Sequence, residues 1–200
     1  MDTPLIFRLL LPALLLAFAA YRGYCTRKYG RPATDTVKQR ERSRAAQIAD
    51  LLSLPAFAAV VVYAVAPSWL AWASLPLPAW LRWAGLGVAL AGFALLHWAH
   101  TALDHNWSDT PRLLKDQTLV THGPYRWVRH PIYTGFLLIL GSTLLISANA
   151  LIGVLWLGLT ALEVAARIRF EEALMIATFG EQYRAYMRTT GALLPPVTGH

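Results

Sequence analysis

The chain has 200 residues, 56% of them hydrophobic and only 14% charged, and its mean hydropathy of +0.41 excludes the balance of an ordinary soluble domain. Its apolar residues come in runs of bilayer-spanning length rather than in one-sided or alternating patterns. The formal charge of +7 does not point to nucleic acid, because no stacking aromatic is interleaved with the basic residues and no groove-reading motif accompanies them. Cys25 is the single cysteine, so no intramolecular disulfide is available.

Taken in order, the first apolar run covers 4–21. Asp2 stands where a signal peptide would have a basic cluster, and no small-x-small cleavage site follows, so the run is read as a retained span. Residues 22–45 hold Arg22, Arg27, Lys28, Arg31, Lys38, Arg40, Arg42 and Arg44 against only Asp35 and Glu41, which marks a cytoplasmic loop beside anionic lipid. A second span covers 46–66. The loop 67–79 carries no charge, and its Trp69 and Trp72, with Trp80 and Trp83 just beyond, suit an interfacial aromatic belt.

The third span covers 80–103. Its Gly85, Gly87 and Gly92 look like a fragment of a dinucleotide-binding loop, but no strand precedes them, and small residues inside an apolar run serve close helix packing. His97, His100 and His105 raise a metal site, yet no carboxylate or cysteine at matching spacing completes a ligand set, so no metal is expected. Two shorter spans, 132–147 and 149–166, read as a hairpin about the turn 147–150. Beyond them Leu174, Thr178 or Phe179, Tyr183, and Tyr186 or Met187 recur at helical spacing, predicting an interfacial helix over 167–190, broken at Gly180.

The expectation is an all-α integral membrane protein with about five transmembrane helices plus a C-terminal interfacial helix, forming one domain over 1–200. With the basic loop inside, the N-terminus lies outside the inner membrane, the C-terminus and the segment 104–131 are cytoplasmic, and only Arg8 and Arg82 among the Lys and Arg residues fall outside.

Two clusters carry chemistry. The first is Leu119 to Gly135, where pairs of Pro, Gly, His, Arg and Tyr crowd between spans just before a helix. Pro131 fits that helix's first turn, whose free N–H groups, with Arg129 and His130, suit an anionic ligand. A rigid juxtamembrane turn with snorkelling arginines is the plainer alternative. The second cluster is Glu163, Arg167, Glu171 and Glu172. Spacing of i, i+4 puts the first three on one helix face, either as a line facing a cavity or partner or as an internal salt-bridged stripe.

At these clusters the sequence resembles the isoprenylcysteine carboxyl methyltransferase family and, more loosely, the membrane phospholipid methyltransferases. The resemblance rests on Leu119-Val120, Gly123-x-Tyr125, Arg129-His130-Pro131-x-Tyr133-x-Gly135, Arg167 with Glu171-Glu172, Phe179-Gly180-x-x-Tyr183-x-x-Tyr186 and Leu194-Pro195. It runs without a gap from about Asn106 to Pro195, whereas the N-terminal half matches only as hydrophobic spans. It implies a membrane-embedded enzyme that holds S-adenosyl-L-methionine on the cytosolic side. By that likeness Gln117, Thr118, Leu119, Val120, Tyr125, His130, Pro131, Ile132, Tyr133 and Glu171 contact the cofactor, and Arg167 meets the substrate, making Arg167 and Glu171 the catalytic pair. Thr110 stands where eukaryotic members carry a cofactor-touching glutamine.

The implied activity is methyl transfer to a lipophilic, membrane-delivered small molecule or lipid, most simply a carboxylate, which needs no general base. The acceptor's identity stays open among acid, thiol, amine and phospholipid headgroup. An amine N-methyltransferase would use Glu171, Glu172 or His122 as base. A non-catalytic scaffold or transporter subunit would use the Glu163–Arg167–Glu171 line as a polar pathway, but has no need of the cytosolic cluster of aromatic, histidine and arginine groups.

Overall fold

The computed structural model describes residues 4–30, 36–39, 44–107, 112–114 and 116–196. Six α-helices account for most of it: α1 (Leu5–Tyr29), α2 (Arg44–Val65), α3 (Ala79–Leu103), α4 (Pro131–Ser147), α5 (Ala150–Phe179) and α6 (Glu181–Thr189). A two-stranded antiparallel ribbon, β1 (Thr36–Gln39) with β2 (Arg112–Leu114), qualifies the all-α expectation. Strands of four and three residues are too short to show as alternation in a sequence.

Among the described residues three helices, α1, α3 with its short extension to Asn106, and α5, are long and apolar enough to cross a membrane. A fourth crossing arises if Ser53–Val65 and the 3-10 segment Pro67–Ala73, bent by 116° to one another, count as one broken span. The apolar α4 is 17 residues long. The described residues therefore carry three to four candidate spans where the hydrophobic runs suggest about five.

One boundary differs from the sequence reading and another agrees with it. The first helix continues to Tyr29, eight residues beyond its apolar run, because Arg22, Arg27 and Lys28 are good helix formers and the last two sit favourably at its C-terminal end. The span expected over 149–166 and the helix expected to continue from it run together as the 30-residue α5, and the expected break falls at Gly180, whose φ of +54° a glycine adopts freely, with α6 beyond it.

Close packing of α3 on α4 anchors the bundle. A Cβ on Gly85 would run into Leu145 and Ile146, and one on Gly92 into Ile139 and the Gly135 carbonyl, whereas Gly87 faces open space. The buried core joins Phe7, Leu11 and Leu15 of α1, Val60 and Tyr63 of α2, Leu96 of α3, Ile139 and Ile146 of α4, and Ile152 and Trp156 of α5.

At one end of the bundle the two arginines assigned to the outside satisfy helix C-terminal carbonyls. Arg8 donates to the Ala64 carbonyl through Nε and Nη2 (2.9 and 2.6 Å). Arg82, buried, donates to the Ile146 carbonyl (3.1 and 2.9 Å) and to the Tyr63 hydroxyl (2.8 Å), with its guanidinium 3.8 Å from the Phe7 ring centre. The turn between α4 and α5 closes the same end: Ala148 has φ +50°, and Asn149 caps α5 through Ile152 N while its side-chain amide donates to the Leu70 carbonyl. The clusters that carry chemistry gather at the opposite end.

Candidate active site

Pro131 opens α4 as its first helical residue, with His130 as the N-cap. The preceding loop is fixed by the C-terminal tail: Arg129 N donates to the Gly191 carbonyl (2.8 Å) and His130 N to the Ala192 carbonyl (3.0 Å), and Tyr186 of α6 donates its hydroxyl to the Tyr125 carbonyl (2.5 Å). Within this clasp Arg129 reaches the Glu172 carboxylate through Nε (2.9 Å) and Nη2 (2.8 Å), and through Nη1 it donates to the carbonyls of Met187 (3.3 Å) and Thr190.

His130 bridges the two neighbouring carboxylates of α5. Its Nδ1 lies 3.5 Å from Glu171 Oε2 and its Nε2 3.3 Å from Glu172 Oε1. Burial works against the charged imidazolium, but the hydrogen bonds and charges of Glu171 and Glu172 outweigh it and raise the histidine's pKa. Arg129 and His130 are thus committed to carboxylates. That corrects the expectation that they stand ready, with the N–H groups of α4, for an anionic ligand.

Tyr133 stacks on His130 (ring centres 5.7 Å apart) and donates its hydroxyl to Glu171 Oε1. One turn earlier on α5, Arg167 grips Glu163 Oε1 through Nε (2.9 Å) and Nη2 (2.6 Å). The face carrying Glu163, Arg167 and Glu171 is thus joined through Tyr133: Arg167 pairs with Glu163 and also meets the Tyr133 hydroxyl, which donates to Glu171, and Glu171 faces His130 as well.

These groups wall an open-mouthed cleft of about 970 Å³, a figure that includes the space at its mouth. Of the residues nominated from the sequence, Gln117, Thr118, Leu119 and Val120 line it from the loop, Tyr125, His130, Ile132 and Tyr133 from the approach to α4 and its first turn, and Arg167 and Glu171 from α5. Pro131 is buried behind the wall and shapes the turn without facing the cleft. Thr110 lies outside the described residues.

The sequence did not single out several other lining residues. Asn106 accepts from Thr118 N (2.8 Å) and from Thr118 Oγ1 (3.3 Å), holding the 117–120 stretch in place. Trp107 lines the cleft with its back to His100, whose ring centre is 5.2 Å away. Tyr183 and Tyr186 enter from α6, and Arg22 from α1. The tyrosines lay in the recognised motif, but no local signal marks Arg22, Asn106 or Trp107, which are brought in by the fold. His97, expected near His100, is exposed, and no metal-ligand cluster of three such groups occurs among the described residues.

A second, open cavity of about 460 Å³ including its mouth shares Arg22, Tyr133, Phe136 and Arg167 with the cleft and is lined also by Phe18, Leu140, Thr160, Glu163 and Val164 of α1, α4 and α5.

The cleft suits a ligand with both polar and cationic parts. The Tyr125 hydroxyl is buried at its wall with no partner among the described residues, and burial raises its pKa, keeping it a donor. The Glu171 carboxylate and the faces of Tyr133, Tyr183 and Trp107 favour positive charge. S-adenosylmethionine, with its amine, ribose hydroxyls and sulfonium, fits this donor and acceptor set.

Comparison with known proteins agrees. The model of the isoprenylcysteine carboxyl methyltransferase family matches residues 85–177. The protein-S-isoprenylcysteine O-methyltransferase of Tribolium castaneum is 32% identical over 118 residues, which are 58% of this chain and 42% of that protein. The methanethiol S-methyltransferase of Mycobacterium tuberculosis is 40% identical over 74 residues, 37% of this chain and 29% of that protein. A solved structure of the eukaryotic intramembrane Ras methyltransferase ICMT aligns with a TM-score of 0.56 at 25% identity, covering 80% of this chain and 56% of that one. The chain therefore spans less than two thirds of the length of each of these relatives. Most of the loop and the carboxylate-bearing stretch of α5 lie inside the segment, residues 85–177, that is similar to the isoprenylcysteine carboxyl methyltransferase family.

Proposed function

We propose that the protein is a multi-pass membrane methyltransferase that uses S-adenosylmethionine to methylate a lipophilic acceptor delivered from the bilayer, most simply at a carboxylate. The observation that carries this reading is the cleft itself, which gathers the loop 117–133 and the α5 pair Arg167 and Glu171 beside a second cavity of mixed lining. When bound, the cofactor supplies an activated methyl group on a sulfonium. Glu171 accepts hydrogen bonds from its amine or ribose, Tyr125 donates to it, and the aromatic walls favour its charge. Gln117 to Val120, His130, Pro131, Ile132 and Tyr133 shape its seat.

Arg167 orients the acceptor carboxylate for an in-line approach. A carboxylate oxygen held by Arg167 is already deprotonated at neutral pH, so its methylation would ask the chain for no general base. The chain's work is positioning and exclusion of water. The relatives named for methanethiol support a second reading, S-methylation of a small thiol. An amine acceptor is not favoured, since these relatives are named for carboxyl or thiol methylation. In the full reading α4 completes a fifth crossing, and the cleft faces the cytoplasm of the inner membrane with the N-terminus outside.

The reading is tested by incubating the purified protein with S-adenosylmethionine and either an S-isoprenylated cysteine or a small alkyl thiol. The expected result is an acceptor gaining 14 mass units by mass spectrometry. No transfer to either class, in protein shown to bind the cofactor, would move the search to other acceptors; no cofactor binding at all would end the methyltransferase reading.

A further inference from the structure

Exposed tryptophans mark two heights on α3. Trp80 in its first turn is 70% exposed and Trp98 near its other end is 45% exposed, and the eighteen positions between them span about 27 Å of helix. That is close to the hydrocarbon thickness of a bilayer, ~30 Å, so each indole falls at one membrane interface, where amphipathic rings prefer to lie. Gly123 fastens the loop before α4 to the second of these heights. Its φ is +60°, and a Cβ there would stand 3.0 Å from the Ala102 Cβ and 3.4 Å from Trp98 Nε1, so a glycine both makes the turn and lets the loop lie against α3.

The 3-10 turn Gly123–Arg126 has two sides. Tyr125 is buried and lines the cleft, whereas Arg126 and Trp127 are exposed and do not line it. The Trp127 ring meets Trp98 edge to face with ring centres 5.6 Å apart, and the Arg126 guanidinium carbon lies 4.0 Å from the Trp127 ring centre. No carboxylate among the described residues reaches this guanidinium. Stacking on an indole occupies one face of the planar fork and leaves its N–H edges for an acceptor, the geometry that suits a phosphate.

We propose that Arg126, Trp127 and Trp98 form a docking site for an anionic phospholipid of the leaflet on the cleft's side. The headgroup phosphate takes an edge of the Arg126 guanidinium, and the two indoles lie against the glycerol and the upper acyl chains. A net anionic headgroup binds better than a zwitterionic one, whose own ammonium stands beside the phosphate and competes with Arg126. Trp127 N and Val128 N both donate to the Pro124 carbonyl (3.2 Å each), so the residues on either side of Tyr125 are tied into one turn. Resting on the methyltransferase reading of the cleft, the bound lipid holds this turn from outside and thereby pre-organises the cofactor seat at Tyr125 on its inner side.

The test has two arms on the full chain. In the first, detergent-solubilised protein is titrated with phosphatidylglycerol and the retained lipid is read by native mass spectrometry. The wild type is expected to retain it at least fivefold more strongly than Arg126→Ala, with Arg126→Lys between the two, and equal retention in wild type and Arg126→Ala would overturn the proposal. In the second, S-adenosylhomocysteine is titrated into protein held in nanodiscs of phosphatidylcholine alone or with about one third phosphatidylglycerol. Wild-type affinity should be at least threefold higher with phosphatidylglycerol, and Arg126→Ala should lose that gain while staying within about twofold of the wild type in phosphatidylcholine. A gain that survives in Arg126→Ala would overturn the proposal by placing the lipid elsewhere. A gain reproduced by soluble glycerol phosphate in phosphatidylcholine nanodiscs would overturn it by making the site one for free phosphate. No gain in the wild type would overturn the link to the cofactor seat. Protein that retains phosphatidylglycerol through Arg126 yet binds no S-adenosylhomocysteine in either bilayer would instead defeat the methyltransferase reading while the lipid site stands.

Discussion

Arg167 and Glu171 lie one turn apart on α5, yet their surroundings differ. The guanidinium is turned toward Glu163, and the carboxylate toward Tyr133 and His130. Under the proposed division of labour, Arg167→Ala abolishes turnover but leaves S-adenosylhomocysteine affinity within a few-fold. Glu171→Ala weakens that affinity by about 1.5–3 kcal/mol, the value of a hydrogen bond to a charged group. Titration calorimetry on the two variants separates these outcomes, and equal loss of cofactor affinity in both would reduce the pair to a structural device. Much of this site is legible in the sequence because the loop and the α5 cluster are each local: ten of the eleven nominated residues face one cleft. Arg22, Asn106 and Trp107 are not legible, since their relevance comes only from folding distant segments onto that loop.

At the scale of elements, the clasp between the loop and the C-terminal tail depends on one carboxylate. Glu172 takes two contacts from Arg129, whose side chain also binds carbonyls at the end of α6 and just beyond it. Both partners are largely buried, with side-chain exposures of 10% and 17%. Removing one member of such a pair leaves a charge without its counterpart, so Glu172→Ala should cost about 3–5 kcal/mol of stability. A thermal melt in detergent measures it, with Glu172→Gln retaining part of the loss; an unchanged midpoint for Glu172→Ala would show that the clasp does not depend on the pair. The element starts fixed by backbone chemistry were readable, as with Pro131 at the head of α4 and Gly180 at the end of α5. The end of α1, set by hydropathy alone, was misplaced. The helix α5 runs past Ala166 because its backbone hydrogen bonds continue through a polar stretch supported by Glu163 and Arg167, whatever the solvent outside.

Across the whole molecule the two ends of the bundle have opposite characters. One is closed by Arg8 and Arg82 on helix carbonyls and bears exposed Trp69, Trp72 and Trp80; the other holds the cleft. The sixteen Lys and Arg residues other than this pair fall in the three stretches read as cytoplasmic. Impermeant thiol labelling of intact cells should therefore modify Ser68→Cys and spare Ser43→Cys and Ser108→Cys. The native Cys25 is buried and contributes little background. External labelling of Ser108→Cys would put the loop on the wrong side for a cytosolic cofactor.

The account as a whole depends on the cleft being a cofactor site, and the most direct measurement is the melting temperature of the detergent-solubilised protein with and without S-adenosylhomocysteine. A ligand that binds only the folded state stabilises it by about 2.7 kcal/mol at one hundred times its dissociation constant. The account predicts a clear upward shift with S-adenosylhomocysteine and none with nicotinamide cofactors. No shift at millimolar S-adenosylhomocysteine, with no S-adenosylmethionine or S-adenosylhomocysteine found by mass spectrometry in the purified protein, would contradict it.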